Sequence, residues 1–292
     1  MVSVTAVDER VVTFESDGIP LHGVLHEAAG QPAVGALVFV HAFAEEKKCA
    51  HRPFVEAARA VAQSGRHALR FDLRGCGDSE GDFAEATTAQ WRADVECALA
   101  WAAAELRGCP LGLLGLQLGA AWAAQIAETR SDLSCLVLWE PVVEGHRYVS
   151  LNLRRSELRK KLTAHEGGEV ARATPVAAGE APVPGDAPGG TDFDGYLVTD
   201  RLRDEIAAVD LTGPKAYAGP TLILNLTGRD RLSRQMQQFA ATYPHATALA
   251  VRQEPIWATV GLVDPTPTVE ATVSWLQSPA GQTEGHPSPR PG

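Results

Sequence analysis

An apolar run at residues 110–119 constrains this chain more than any other feature, and its sequence is Pro-Leu-Gly-Leu-Leu-Gly-Leu-Gln-Leu-Gly. The aliphatic residues are typical of a buried β-strand, and Gly115 and Gly119 flank Gln117 at a distance of two residues on each side. Small residues at these two positions let a strand turn abruptly into a helix. The run therefore predicts a strand over 111–116, a tight turn at Gln117 and a helix after it.

Strand and helix patterns alternate on both sides of this turn. Short apolar runs at 36–41, 67–72 and 133–139 predict further buried strands, with helical stretches between them. This alternation predicts right-handed crossovers and a mostly parallel, doubly wound α/β sheet. The turn signal Asp17-Gly18 separates two strand-like runs and predicts an antiparallel hairpin at the N-terminus.

The alternation stops between residues 144 and 212. We expect one domain over residues 1–277, in which 144–212 is a lid-like insertion and 165–192 is flexible because it is rich in Pro, Gly and Ala. Strand and helix patterns return after 220. The tail at 278–292 has the composition of a disordered segment.

Charge and cysteine content exclude several classes of function. The formal net charge of −10, from 26 basic and 36 acidic residues, argues against nucleic acid or an anionic membrane as the main partner. The five cysteines form no Cys-x-x-Cys pair, which argues against a zinc site or a disulfide framework and favours a cytoplasmic protein. No run approaches the roughly 18 apolar residues of a membrane span. We expect neither a metal nor a cofactor.

Four further segments carry a resemblance to a known family: His-Ala-Phe-Ala-Glu-Glu-Lys at 41–47, Asp-Leu-Arg-Gly-Cys-Gly-Asp-Ser at 72–79, Leu-Trp-Glu-Pro-Val-Val at 138–143 and Glu-Pro-Ile-Trp at 254–257. Over about residues 20–276 the chain resembles the exosortase A system-associated hydrolases of the second type, which are bacterial relatives of the serine aminopeptidases. The resemblance implies an α/β-hydrolase fold, a cytoplasmic location and a link to bacterial exopolysaccharide and exosortase systems. It implies no particular substrate.

A hydrolase of this fold needs a nucleophile at the elbow, an acid after a later strand and a histidine after the last strand. Gln117 occupies the nucleophile position, where a carboxamide cannot be deprotonated to an attacking anion. Asp230 occupies the acid position, and its alternative role is to cap the helix expected near Leu232. The histidine position is replaced within Glu254 to Trp257. The sequence therefore predicts no complete triad.

Other candidate residues surround the elbow. The backbone amides of Ala42 or Phe43 and of Leu118 hold the positions of an oxyanion hole, which does not depend on side-chain identity. A helix is expected at about 53–64, and the loop before it supplies a candidate pocket. Its members are His41, Glu45 and Glu46. The two glutamates are interpreted either as solvated loop charges or as an acid–base pair.

Together these observations favour a non-catalytic homologue that binds a small acyl, ester or glycan-related ligand, or a protein partner, at the former active site. One alternative is an ester or amide hydrolase that uses an unconventional group such as Glu45, Glu254 or a loop cysteine. Another alternative is a scaffold protein that serves assembly alone.

Overall fold

The computed structural model describes residues 7–30, 32–155, 189–193, 195–259 and 261–281. Its strands are β1 (Glu9–Ser16), β2 (Ile19–His26), β3 (Ala36–Val40), β4 (His67–Phe71), β5 (Leu111–Leu116), β6 (Leu136–Trp139), β7 (Gly190–Phe193), β8 (Tyr196–Thr199), β9 (Thr221–Thr227) and β10 (Ala246–Arg252). Its helices are α1 (Glu45–Gln63), α2 (Thr88–Glu105), α3 (Leu118–Ala127), α4 (145–155), α5 (Asp200–Ala207), α6 (Arg234–Ala240) and α7 (Thr266–Gln277).

Eight of these strands form one sheet in the order β1-β2-β4-β3-β5-β6-β9-β10. β1 pairs antiparallel with β2, and β2 pairs antiparallel with β4. All other neighbours in this sheet are parallel. The predicted mostly parallel sheet and its N-terminal antiparallel hairpin are confirmed.

Apolar residues cover both faces of the sheet. β3, at its centre, is buried along its whole length. Leu37 and Phe39 belong to a cluster beneath α1 and α7, whereas Val38 and Val40 belong to a larger cluster beneath α2 and α3. Helices on both faces explain why this strand is a continuous apolar run and not an alternating one.

Two element boundaries differ from the sequence-based expectation. α1 begins at Glu45, well before the expected start near Pro53, and Pro53 lies inside the helix. A proline inside a helix removes one backbone hydrogen bond, so it is more typical of the first turn, where the expectation placed it. β6 begins at Leu136 and not at Leu133.

Residues 144–212 contain α4, the two-stranded hairpin of β7 and β8, and α5. Most of the stretch expected to be flexible lies outside the described residues, but its last residues, 190–192, belong to β7. A short 3₁₀ helix, Pro279–Gly281, occupies the start of the expected tail, and 282–292 lies outside the described residues. Within the described ranges no helix is both long and apolar enough to cross a membrane.

A buried ion pair holds the loop after β4 against α2. The guanidinium of Arg74 donates to both carboxylate oxygens of Asp94 at 2.6–3.1 Å, and the Asp94 side chain is fully buried. The same guanidinium donates to Ser16 at the end of β1, and Trp91 donates to the carbonyl of Arg74. Because these contacts replace water around both charges, removal of Asp94 leaves the buried Arg74 with only a longer ion pair of 3.3 Å to the exposed Asp17.

Asp94→Asn is therefore expected to lower the free energy of unfolding by about 3 kcal/mol in urea titrations. The matched control is Glu105→Gln, which breaks the exposed pair between Arg10 and Glu105 and should cost less than about 1 kcal/mol. Equal losses in the two variants would contradict a structural role for the buried pair.

Candidate functional site

The turn between β5 and α3 places Gln117 in a backbone conformation that side chains rarely adopt, with φ 54° and ψ −119°. Its N–H donates to the carbonyl of Trp139 at 3.1 Å, which ties the turn to β6. A Cβ atom at Gly119 would lie 2.3 Å from the carbonyl oxygens of both Val40 and His41. At Gly115 it would lie 2.5 Å from the backbone of the first turn of α3. The two glycines therefore let α3 begin directly against the end of β3.

The side chain of Gln117 is enclosed. The residue is 7% exposed, and its side-chain amide forms no hydrogen bond with any other described residue. The structure thus holds an uncharged and largely buried amide at the elbow.

A second turn of the same kind lies beside the first. Ala44, before α1, has φ 50° and ψ −126°, close to the values of Gln117. Because β3 and β5 are neighbouring parallel strands, the two turns bring the N-termini of α1 and α3 to the same edge of the sheet. Within the described residues, the backbone N–H groups of Ala42, Phe43 and Leu118 have no hydrogen-bond acceptor.

His41 is a buried bridge between two loops. One ring nitrogen, Nδ1, donates to the carbonyl of Ala42 at 2.7 Å, and the other, Nε2, accepts from the N–H of Leu73 at 3.2 Å. Burial lowers the pKa of His41 to about 4, so the ring is neutral at pH 7. With both nitrogens engaged, His41 holds the β3–α1 loop in place.

Glu45 and Glu46 lie in the first turn of α1 and not in a loop, so the interpretation of both as solvated loop charges is wrong. Glu45 pairs with Lys48 at 3.0 Å near the surface. Glu46 is buried, and its Oε2 accepts a hydrogen bond of 2.8 Å from the hydroxyl of Tyr148 on α4. Its Oε1 is buried without a partner among the described residues, and burial raises the pKa of Glu46 to about 8.

Asp230 follows β9, where the acid of the triad was expected, but its side chain faces solvent. It is 79% exposed and pairs with Arg252 at 2.7 Å. Ser233 caps α6, since its hydroxyl accepts from the N–H of Met236. The alternative role of Asp230 as the cap of this helix is therefore wrong.

The chain after β10 is anchored by the side-chain amide of Gln253, directly before the segment 254–257 in which a histidine was expected. Gln253 is buried, and its side chain donates to the carbonyl of Asp264 at 3.0 Å and accepts from the hydroxyl of Thr268 at 3.3 Å. Glu254 is exposed, whereas Trp257 is buried. Gln253 thus holds the loop that leads to α7, and the expected histidine position at 254–257 contains no histidine.

Two features of this edge were missed at the level of sequence. The sequence predicts no role for Tyr148, because nothing in it connects this residue to α1. Glu140 directly follows β6 with φ 42° and accepts from Asn225 and from the N–H of Leu226. Burial raises the pKa of its carboxyl group. An acidic residue straight after a buried strand was the available signal.

The cysteines offer little nucleophilic chemistry. Cys76 is buried, and burial raises the pKa of its thiol to about 12. Its sulfur is therefore protonated at neutral pH, and a protonated thiol is a poor nucleophile. Cys49 lies on α1 and not in a loop. Across the described ranges, no three His, Cys, Asp or Glu side chains are grouped so as to hold a metal ion.

Comparisons with known proteins agree on the fold. The family model described as serine aminopeptidase, S33, matches residues 31–184. A stretch of 112 residues is 30% identical to human ABHD12B, and it covers 38% of this chain and 30% of that protein. The matched part is thus less than a third of that relative's length.

Solved structures extend the likeness over most of the chain at low identity. Est1E from Butyrivibrio proteoclasticus, with ferulic acid bound, has a TM-score of 0.66 at 16% identity and covers 91% of this chain and 97% of its own. A soluble variant of monoglyceride lipase from Saccharomyces cerevisiae has a TM-score of 0.66 at 14% identity, with coverages of 96% and 98%. The predicted α/β-hydrolase fold is confirmed.

The strained turn at Ala44 predicts an unusual response to glycine. Ala44→Gly should leave the free energy of unfolding unchanged or raise it by up to about 1 kcal/mol, because glycine adopts this conformation without strain. Ala50→Gly, in the interior of α1, should lower it by at least about 1 kcal/mol. Urea titrations measure both, and a clear loss in Ala44→Gly would contradict strain at this turn.

The buried carboxyl of Glu46 predicts a pH-dependent stability. Its pKa rises from about 4.3 in an unfolded chain to about 8 on folding, so its contribution is full at low pH and is lost as the pH rises through 8. Glu46→Gln removes this titration. Between pH 5.5 and 8.5 the wild type should lose about 3 kcal/mol of unfolding free energy relative to the variant. A difference that does not change with pH would contradict a raised pKa.

Proposed function

Because the chain belongs to the serine aminopeptidase S33 family of α/β-hydrolase-fold proteins, we propose that it is a non-catalytic member that binds a small acyl, ester or glycan-related ligand at the former active site. The observation that carries the proposal is Gln117 at the elbow. Its carboxamide has no acidic proton to lose at neutral pH and no lone pair basic enough to attack a carbonyl carbon.

The other two triad positions support the loss of serine chemistry. A general base must reach the nucleophile and be oriented by the acid. Residues 254–257 contain no histidine, the amide of the preceding Gln253 is committed to Asp264 and Thr268, and the carboxylate of Asp230 pairs with Arg252 in solvent. The groups at all three positions are therefore unsuited to transfer a proton in the usual sequence.

The backbone of the site keeps what a ligand would need. The amides of Ala42, Phe43 and Leu118 have no acceptor among the described residues, and Leu118 is the first residue of α3. A helix N-terminus carries a partial positive charge that favours a carbonyl or carboxylate oxygen. Est1E holds ferulic acid and the yeast lipase holds a substrate analog, which supports a ligand of acyl or ester type.

A second candidate function is ester hydrolysis that uses Glu46. Its Oε1 is buried without a described partner, and its raised pKa keeps it largely protonated at pH 7. A protonated carboxyl group of this kind is suited to general acid catalysis. Glu46 also lies close to the proposed oxyanion donors, since its N–H donates to the carbonyl of Phe43.

We also propose a cellular setting for this protein. The four segments that resemble the exosortase A system-associated hydrolases support a cytoplasmic role in bacterial exopolysaccharide or exosortase systems. A protein partner or a scaffold role is the remaining alternative, in which contacts by α4 and α5 would matter more than the elbow.

Turnover and binding separate these functions. On p-nitrophenyl esters from acetyl to palmitoyl, the wild type and Gln117→Ser should both release product no faster than buffer, because a serine without a histidine is not activated. Calorimetric titration with ferulate should detect binding to the wild type and at least about tenfold weaker binding to Gln117→Leu, which lacks the polar amide.

Turnover by the wild type would overturn the proposal. If that turnover is lost in Glu46→Gln and retained in Glu254→Gln, the second candidate function replaces the first. The scaffold role would be favoured if the wild type shows no turnover and if Gln117→Leu does not weaken ferulate binding.

A further inference from the structure

A cavity of about 520 Å³ lies on the α1 side of the sheet. It opens between α1 and the strands β4, β2 and β1. His41 and Ala42 of the β3–α1 loop line it, whereas Gln117 and Leu118 do not. Phe39, Phe54 and Val24 contribute an apolar floor. A volume of this size, with an apolar floor and a few polar groups, is typical of a site for a small organic molecule.

Arg70 lines this cavity, and the fold leaves its charge only partly paired. It is half-buried on β4, and its Nε donates to Nε2 of His26 at 3.0 Å. Its two terminal nitrogens have no acceptor among the described residues, and no described carboxylate forms an ion pair with it. A guanidinium group withdrawn from water without such partners is costly.

The acidic residues nearest Arg70, Glu9 and Asp72, favour its charge but form no ion pair with it. His26 is buried, and burial lowers its pKa to about 4, so it is uncharged at pH 7. Glu9, on the neighbouring hairpin, is held by two hydrogen bonds from Arg59. Burial also lowers the pKa of Arg70, in line with a charge that the protein solvates poorly.

The other lysine or arginine that lines the cavity is already paired. Lys47 forms an ion pair of 2.8 Å with Asp72, whose second oxygen accepts from the N–H of Asp78 at 3.0 Å. Gly77 makes this arrangement possible, because a Cβ there would lie 1.8 Å from the Asp72 carboxylate. The carboxylates of Asp72 and Asp78 leave Arg70 as the unpaired cation and disfavour a doubly charged ligand.

We propose that this cavity binds a monocarboxylate with an apolar body, whose carboxylate pairs with the terminal nitrogens of Arg70. The planar guanidinium presents two parallel N–H donors that match the two oxygens of a carboxylate. The body of the ligand packs along Phe54 and Val24, between α1 and the sheet. This site borders the elbow through His41 and Ala42, but the group that holds the carboxylate is Arg70 and not the elbow.

Binding of 4-phenylbutyrate, measured by calorimetric titration of the full chain, tests the proposal. The wild type should bind it, whereas phenyl phosphate near pH 8, where it is a dianion, and the neutral 4-phenylbutyramide should bind at least about tenfold more weakly. Arg70→Gln should weaken binding at least about tenfold. The affinity of Arg70→Lys should lie between those of the wild type and Arg70→Gln, because a single ammonium lacks the two parallel N–H donors of the guanidinium. Arg52→Gln, which removes an exposed arginine of α1, is the matched control and should bind as the wild type does.

A measurement on the unmodified chain covers the case in which Arg70 variants do not fold. Phenylglyoxal should label Arg70, and 4-phenylbutyrate should suppress this label, read by peptide mass spectrometry, while the label on Arg52 is unchanged. Unaltered binding in Arg70→Gln, no binding by the wild type or no protection of Arg70 would overturn the proposal. Loss of 4-phenylbutyrate binding in Gln117→Leu, with Arg70 unprotected, would place the ligand at the elbow and would equally overturn it.

Discussion

The turn at Gln117 is the constraint on which the rest of the structure depends. Its positive φ reverses the chain within one residue, and Gly119 lets α3 start against the carbonyls of Val40 and His41. A side chain at that glycine would force β3 and α3 apart. Because β3 is central in the sheet, this one contact sets the positions of the β3–α1 loop and of both helix N-termini.

The same turn explains how the family fold accommodates an amide at the nucleophile position. In a serine hydrolase the strain of the elbow, of order 1–3 kcal/mol, presents a nucleophile to substrate. Here the strain and both glycines are present, but they present an amide. Residues around the site have structural roles, since His41 bridges two loops and Gln253 anchors the loop that leads to α7. Packing depends on the turn and not on the nucleophile, so one can be kept while the other is lost.

Much of the fold could be predicted because its signals are local. The glycine spacing around Gln117, the continuous apolar strands and the Asp17-Gly18 turn each depend on a few adjacent residues. The start of α1 could not be predicted, because Ala44 has no sequence signature of a strained turn and Pro53 is a strong signal for a later start of the helix. The site was harder still. The burial of Glu46 depends on Tyr148, about a hundred residues away, and the isolation of Arg70 depends on which charges pair around it.

The central claim is that no serine of this chain is activated as a nucleophile. Fluorophosphonates phosphonylate activated serines, so incubation of the native protein with such a probe, followed by intact mass spectrometry, tests the claim directly. The account predicts that the mass is unchanged under conditions that fully label an active esterase. A stoichiometric adduct on a serine of the folded protein, absent after heat denaturation, would contradict it.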